Sequence, residues 1–87
     1  MTRAEVREHL TDDETVVFLE GAEFDRAIVG VVERFGQSFI VCYDYEVVLD
    51  VLMASGMQRE EAVEWFDFNV VGAWMGEMTP CFLHRQV

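Results

Sequence analysis

At 87 residues, with 52% hydrophobic and 13% aromatic side chains and a single proline, residues 1–87 read as one small folded domain, which excludes a disordered or low-complexity chain. Seventeen acids face six bases, all arginine, and the formal net charge of −11 sets like-charge repulsion against free nucleic acid or an anionic membrane. No apolar run reaches the roughly 18 residues that span a bilayer, and residues 1–10 carry acids where a secretory signal is apolar, so the expectation is a soluble cytoplasmic protein.

In chain order, residues 2–10 predict a short helix with Thr2 as N-cap and Glu5 in capping-box position. Asp12, Asp13 and Glu14 precede the apolar run 16–19, and Gly21 stands where a helix would stop, which predicts a second brief helix. Residues 27–44 are rich in β-branched and aromatic side chains interrupted at Gly36–Gln37, the pattern of an antiparallel hairpin. Its first strand is apolar on both faces, Ile28 and Val32 against Val29 and Val31, which predicts a central strand.

Asp44 is placed to cap a helix whose Val47, Val48, Val51 and Leu52 recur at helical spacing, with Glu46 and Asp50 on another side and Gly56 at its end. A further helix begins near Gln58, buries Ala62, Val63 and Phe66, and frays over residues 67–69. VVGAW (70–74) and CFLH (81–84) read as extended, one of them pairing with the hairpin. The fold class is therefore α+β, an antiparallel hairpin or sheet packed against two or more helices.

Four stretches carry a resemblance: FLEGAEFDRAIVGVVERFG (18–36), VCYD (41–44), GMQREEAVEWFDFN (56–69) and FNVVGAWMGEMTP (68–80). Together they resemble a family of small, acidic proteins encoded by bacteriophages and prophages. The resemblance implies a mobile-element origin and a bacterial host cell, and it brings no biochemical activity with it.

Chemistry-bearing motifs are sparse. Ser38 and Ser55 lie outside any nucleophile-elbow pattern, and no Gly-x-Gly-x-x-Gly, P-loop or HExxH is present. Cys81-x-x-His84 makes half of a zinc set that Cys42 and His9 would complete, but packing accounts for both sulfurs, and the reading is of no metal and no cofactor. The cysteines allow one disulfide, which a cytosolic setting keeps reduced. Asn69, where a helix stops, fits a side chain satisfying nearby backbone.

The feature that points to binding is Glu60, Glu64 and Asp67 at i, i+4 and i+7, three carboxylates on one side of a helix. Glu46 and Asp50 form a similar pair one helix earlier, and Trp74 between glycines is either an interface anchor or a lid on the core. Two functions follow from the charge, these residues and the phage resemblance taken together. One is an accessory protein that binds and inhibits or redirects a host or defence protein with a basic surface, an anti-CRISPR-like acidic mimic of nucleic acid being its most concrete form. The other is an assembly protein forming a homo-oligomer through VVGAW, with an enzyme of unrecognised site as a third, minor class.

Overall fold

A computed structural model of the chain describes residues 1–8, 10, 16–19, 21–36, 39–71 and 79–85, with residues 70 and 71 described by their backbone alone. Local signals place most of its helices. Helix α1 (Arg3–Glu8) starts at a reciprocal capping box, in which Glu5 N–H donates to Thr2 Oγ1 at 3.2 Å and Thr2 N–H to Glu5 Oε1 at 3.1 Å. Helix α2 (Tyr45–Ala54) starts where Asp44 Oδ1 accepts from Val47 N–H at 3.3 Å. It ends in a Schellman motif: Gly56 N–H donates to Met53 O at 3.0 Å and Met57 N–H to Leu52 O at 3.4 Å, with Gly56 at φ 113°. Helix α3 (Arg59–Phe66) opens on a second capping box between Gln58 and Glu61.

The hairpin forms as expected, from β1 (Ile28–Val32) and β2 (Ile40–Asp44), and β3 (Cys81–Leu83) joins β2 in parallel, so the sheet order is β1-β2-β3. The result is an α+β domain with a mixed three-stranded sheet. The central strand is β2, buried over its whole length, and β1 is an edge, contrary to the central position its apolar faces predict. A bulge explains the pattern. Ile28 pairs with Tyr43 and Gly30 with Cys42, so Val29 is the extra residue and stands 40% exposed. Past the bulge the alternation shifts by one, and Val31 opposite Val41 shares the face of Ile28 opposite Tyr43 instead of the face of Val29.

The helix expected before Gly21 is absent from residues 16–19, which form neither helix nor strand. Side chains take their backbone groups: Leu19 N–H donates to Tyr43 Oη at 3.0 Å and Leu19 O accepts from Arg3 Nη2 at 2.8 Å. Gly21, at φ 100°, leads into a 3-10 helix (Ala22–Ala27) instead of closing a helix. Asp12, Asp13, Glu14, Gln37 and Ser38 lie outside the described residues.

The core gathers Val6, Leu19, Phe24, Ile28, Val41, Tyr43, Leu49, Leu52, Ala62 and Phe66 around β2 and the inner sides of α2 and α3. Aromatic contacts bind β3 into it: Phe66 meets Phe82 edge-on at 4.8 Å and Tyr45 at 4.9 Å, and Tyr43 stacks on Phe82 at 6.0 Å. After Phe66 the chain does not fray but continues through one π turn (Asp67–Val71), so Val70 and Val71 are helical in backbone where an extended segment is predicted. No helix among the described residues is long and apolar enough to cross a membrane.

Candidate functional site: the acidic side of α3 and the groove beside it

Helix α3 presents its carboxylates as the spacing requires. Glu60, Glu64 and Asp67 are all exposed, and Asp67 keeps α-helical backbone (φ −61°, ψ −39°), so the widened π turn does not pull it out of line. Their axial steps are about 6 Å and then about 4.5 Å. The first turn of α3 holds Glu60 and Glu61, where the helix dipole favours acids, and its last turn holds no base.

Three of the six arginines are engaged with other acids. Arg3 Nε pairs with Asp25 at 2.7 Å, Arg85 Nε with Asp44 Oδ2 at 2.7 Å, and the Arg59 fork grips Glu46 through two contacts of 3.1 and 3.0 Å. Among the described residues, no ion pair involves Glu60, Glu64, Asp67 or Asp50. The Glu46 pairing means that Glu46 and Asp50 are not two equivalent free acids on α2. Its carboxylate is held below the usual range by the Arg59 hydrogen bonds, so Glu46 brings an internal ion pair to this surface while Asp50 stays an exposed acid.

Beside the acidic face runs an open groove of about 330 Å³ lined by Met57, Glu61, Glu64, Trp65, Phe68 and Asn69. Phe68 is 83% exposed at its rim, an aromatic ring in water next to two carboxylates. Trp65 is half-buried and stacks on Phe24 with centroids 6.4 Å apart. Asn69 turns inward to its own helix, its Nδ2 donating to Trp65 O at 3.0 Å, the backbone-satisfying role its position predicts. Sequence reading passes over this groove, although residues 57, 61, 64, 65 and 68 fall at i, i+4, i+7, i+8 and i+11, one side of a helix carrying both acids and rings. A second depression of about 420 Å³, lined by Glu23, Arg26, Val51, Ala54 and Ser55, mixes both charge signs.

The half-site for zinc is divided. Cys42 and Cys81 are register partners on β2 and β3, while the His84 ring stacks on Tyr45 at 4.1 Å. Among the described residues no group of three or more His, Cys, Asp or Glu side chains converges as metal ligands, and His9 lies outside them. Burial, then the neighbouring Cys81 thiol and the Asp44 charge, push the Cys42 thiol up to about 11. Cys42 is a buried core residue; Cys81 is only half-buried. Trp74, with Gly72, Met75 and Gly76, also lies outside the described residues.

No family model, curated protein or solved structure matches the chain.

Proposed function

We propose that the protein is a phage- or prophage-borne accessory that binds a host or defence protein with an arginine- or lysine-rich surface, and inhibits or redirects it, in the manner of an acidic nucleic-acid mimic. The observation that carries this reading is the exposed carboxylate row Glu60, Glu64, Asp67, without a counter-charge among the described residues in a protein whose Arg3, Arg59 and Arg85 are paired with other acids. Carboxylates repeating along a rigid helix offer a basic channel what the phosphates of a nucleic-acid strand offer it: negative charge at regular intervals with little order to be lost on docking. Asp50, exposed on α2, adds to that field. The mobile-element setting comes from the resemblance of residues 18–36, 41–44 and 56–80 to phage-encoded proteins. A binding protein, not an enzyme, also accords with the absence of a recognised catalytic motif in the sequence.

The test is capture of the tagged protein's partner from a bacterial host, followed by binding measurements across ionic strength and with Glu60→Lys, Glu64→Lys, Asp67→Lys combined. Association that slows with salt and is abolished by the triple reversal is expected. Affinity indifferent to both rejects the acidic mechanism.

A second reading, assembly of a homo-oligomer, draws on β1, which is an edge strand among the described residues and carries the exposed Val29, with the exposed Phe35 in the turn that follows. Sedimentation equilibrium separates the two: a stable symmetric oligomer favours assembly, a monomer favours docking.

A further inference from the structure

We propose that the groove lined by Glu61, Glu64, Trp65 and Phe68 is a receptor for one arginine side chain of the basic partner, an inference that rests on the binding function above and names the place where that function is concentrated. Two separate features of the groove ask for a cation. Glu64 lines it without an ion-pair partner among the described residues, and Glu61 has only its Oε1 engaged, accepting from Gln58 N–H at 3.2 Å. The rim of the groove carries Phe68, 83% exposed, a ring whose face attracts a cation and whose exposure otherwise has no structural return.

These features select arginine over lysine. A planar guanidinium stacks on an aromatic face while its N–H groups reach two carboxylates at once, whereas a lysine ammonium is a compact and strongly hydrated point charge. A space of about 330 Å³, open on one side, admits a side chain projecting from a protein surface without enclosing a whole ligand. The like charges of Glu64 and Asp67, three residues apart on one helix, are an arrangement that works against the free protein and in favour of the complex, because the incoming cation relieves it.

The experiment uses the full chain and two fluorescently labelled peptide amides, hexa-arginine and hexa-lysine, with binding read by anisotropy at low and at physiological salt. The expected result is tighter binding of hexa-arginine, a loss of roughly threefold to thirtyfold on Phe68→Ala, and a similar loss on Phe68→Leu, which keeps apolar area but removes the ring. Phe68→Tyr, retaining the ring, binds as the parent does. Glu64→Gln weakens hexa-arginine more than Glu60→Gln, although each removes one charge. Because Phe68 is so exposed, the melting temperature of each Phe68 variant confirms that the fold is unaffected. Equal affinity of Phe68→Ala and the parent, or equal losses from Glu60→Gln and Glu64→Gln, overturns the groove while leaving the acidic face as the binding surface. Failure of hexa-arginine to bind the parent at low salt also overturns the groove, and the captured partner's response to the triple reversal then decides the broader function separately.

Discussion

Replacing Asp44 tests how the end of β2 is joined to the start of α2 and to the C-terminal strand. One carboxylate oxygen caps α2 through Val47 N–H and the other meets Arg85 Nε at 2.7 Å, on a side chain only 12% exposed. Asp44→Ala removes both contacts. Loss of an N-cap costs about 1 kcal/mol. The ion pair, discounted because the Arg85 side chain is 58% exposed, adds about 0.5 to 1 kcal/mol. The sum of about 1.5 to 2 kcal/mol corresponds to a fall in melting temperature of roughly 6 to 16 °C for a domain of this size. Asp44→Asn separates the two contributions, since asparagine caps a helix as well as aspartate does, and it is expected to lose only the ion-pair share. Circular dichroism melts of both variants, with Arg85→Ala and the double variants completing a cycle, measure each part. Equal losses for Asn and Ala would refute the capping argument, and no loss in either would refute the whole account.

The same carboxylate gives a pH dependence whose sign follows from its environment. Burial opposes ionisation of Asp44, but the Arg85 guanidinium and the Val47 and Glu46 N–H groups together outweigh it, and the net displacement is downward. A carboxyl depressed in the folded state stabilises the protein above its unfolded value of about 3.9, and that stabilisation is lost as pH falls through the folded value. The acid limb of the stability profile should therefore flatten in Asp44→Asn. An unchanged acid limb would assign that dependence to other carboxylates.

Tyr43→Phe leaves the N–H of the buried Leu19 without its 3.0 Å acceptor and is expected to cost about 1 to 2 kcal/mol, read as a lower urea midpoint at constant slope. With the Cys42 thiol pushed up to about 11 and buried while Cys81 is half-exposed, iodoacetamide at mildly alkaline pH should label Cys81 first; peptide mapping that finds Cys42 labelled first contradicts the burial assignment. The combined reversal of Glu60, Glu64 and Asp67 to lysine should leave the far-UV spectrum unchanged, because all three side chains are exposed and none is in an ion pair among the described residues. A collapse of helical signal would show that these acids serve the fold.

Legibility in the sequence followed distance along the chain. The Thr2–Glu5 box, the Asp44 cap, the Gly56 stop and the helix start at Gln58 are all interactions within four or five residues, so residue type and spacing suffice to place them. The carboxylate row on α3 is legible for the same reason: helical period alone puts Glu60, Glu64 and Asp67 on one side. What the tertiary structure decided lies in contacts between distant segments. The Leu19–Tyr43 hydrogen bond takes a backbone group that a predicted helix would use, and the bulge at Val29 re-phases β1 on its edge. Residues 81–83 come to lie parallel to β2, so that Cys42 and Cys81 become neighbours and Asp44 meets Arg85. The Arg59–Glu46 pair joins helices whose mutual placement no local pattern specifies, and it removes Glu46 from the proposed binding surface. Periodicity and caps depend on backbone groups one helical turn apart, whereas strand order, edge position and ion pairing depend on the path by which a buried core closes around β2, which the chain settles only as a whole.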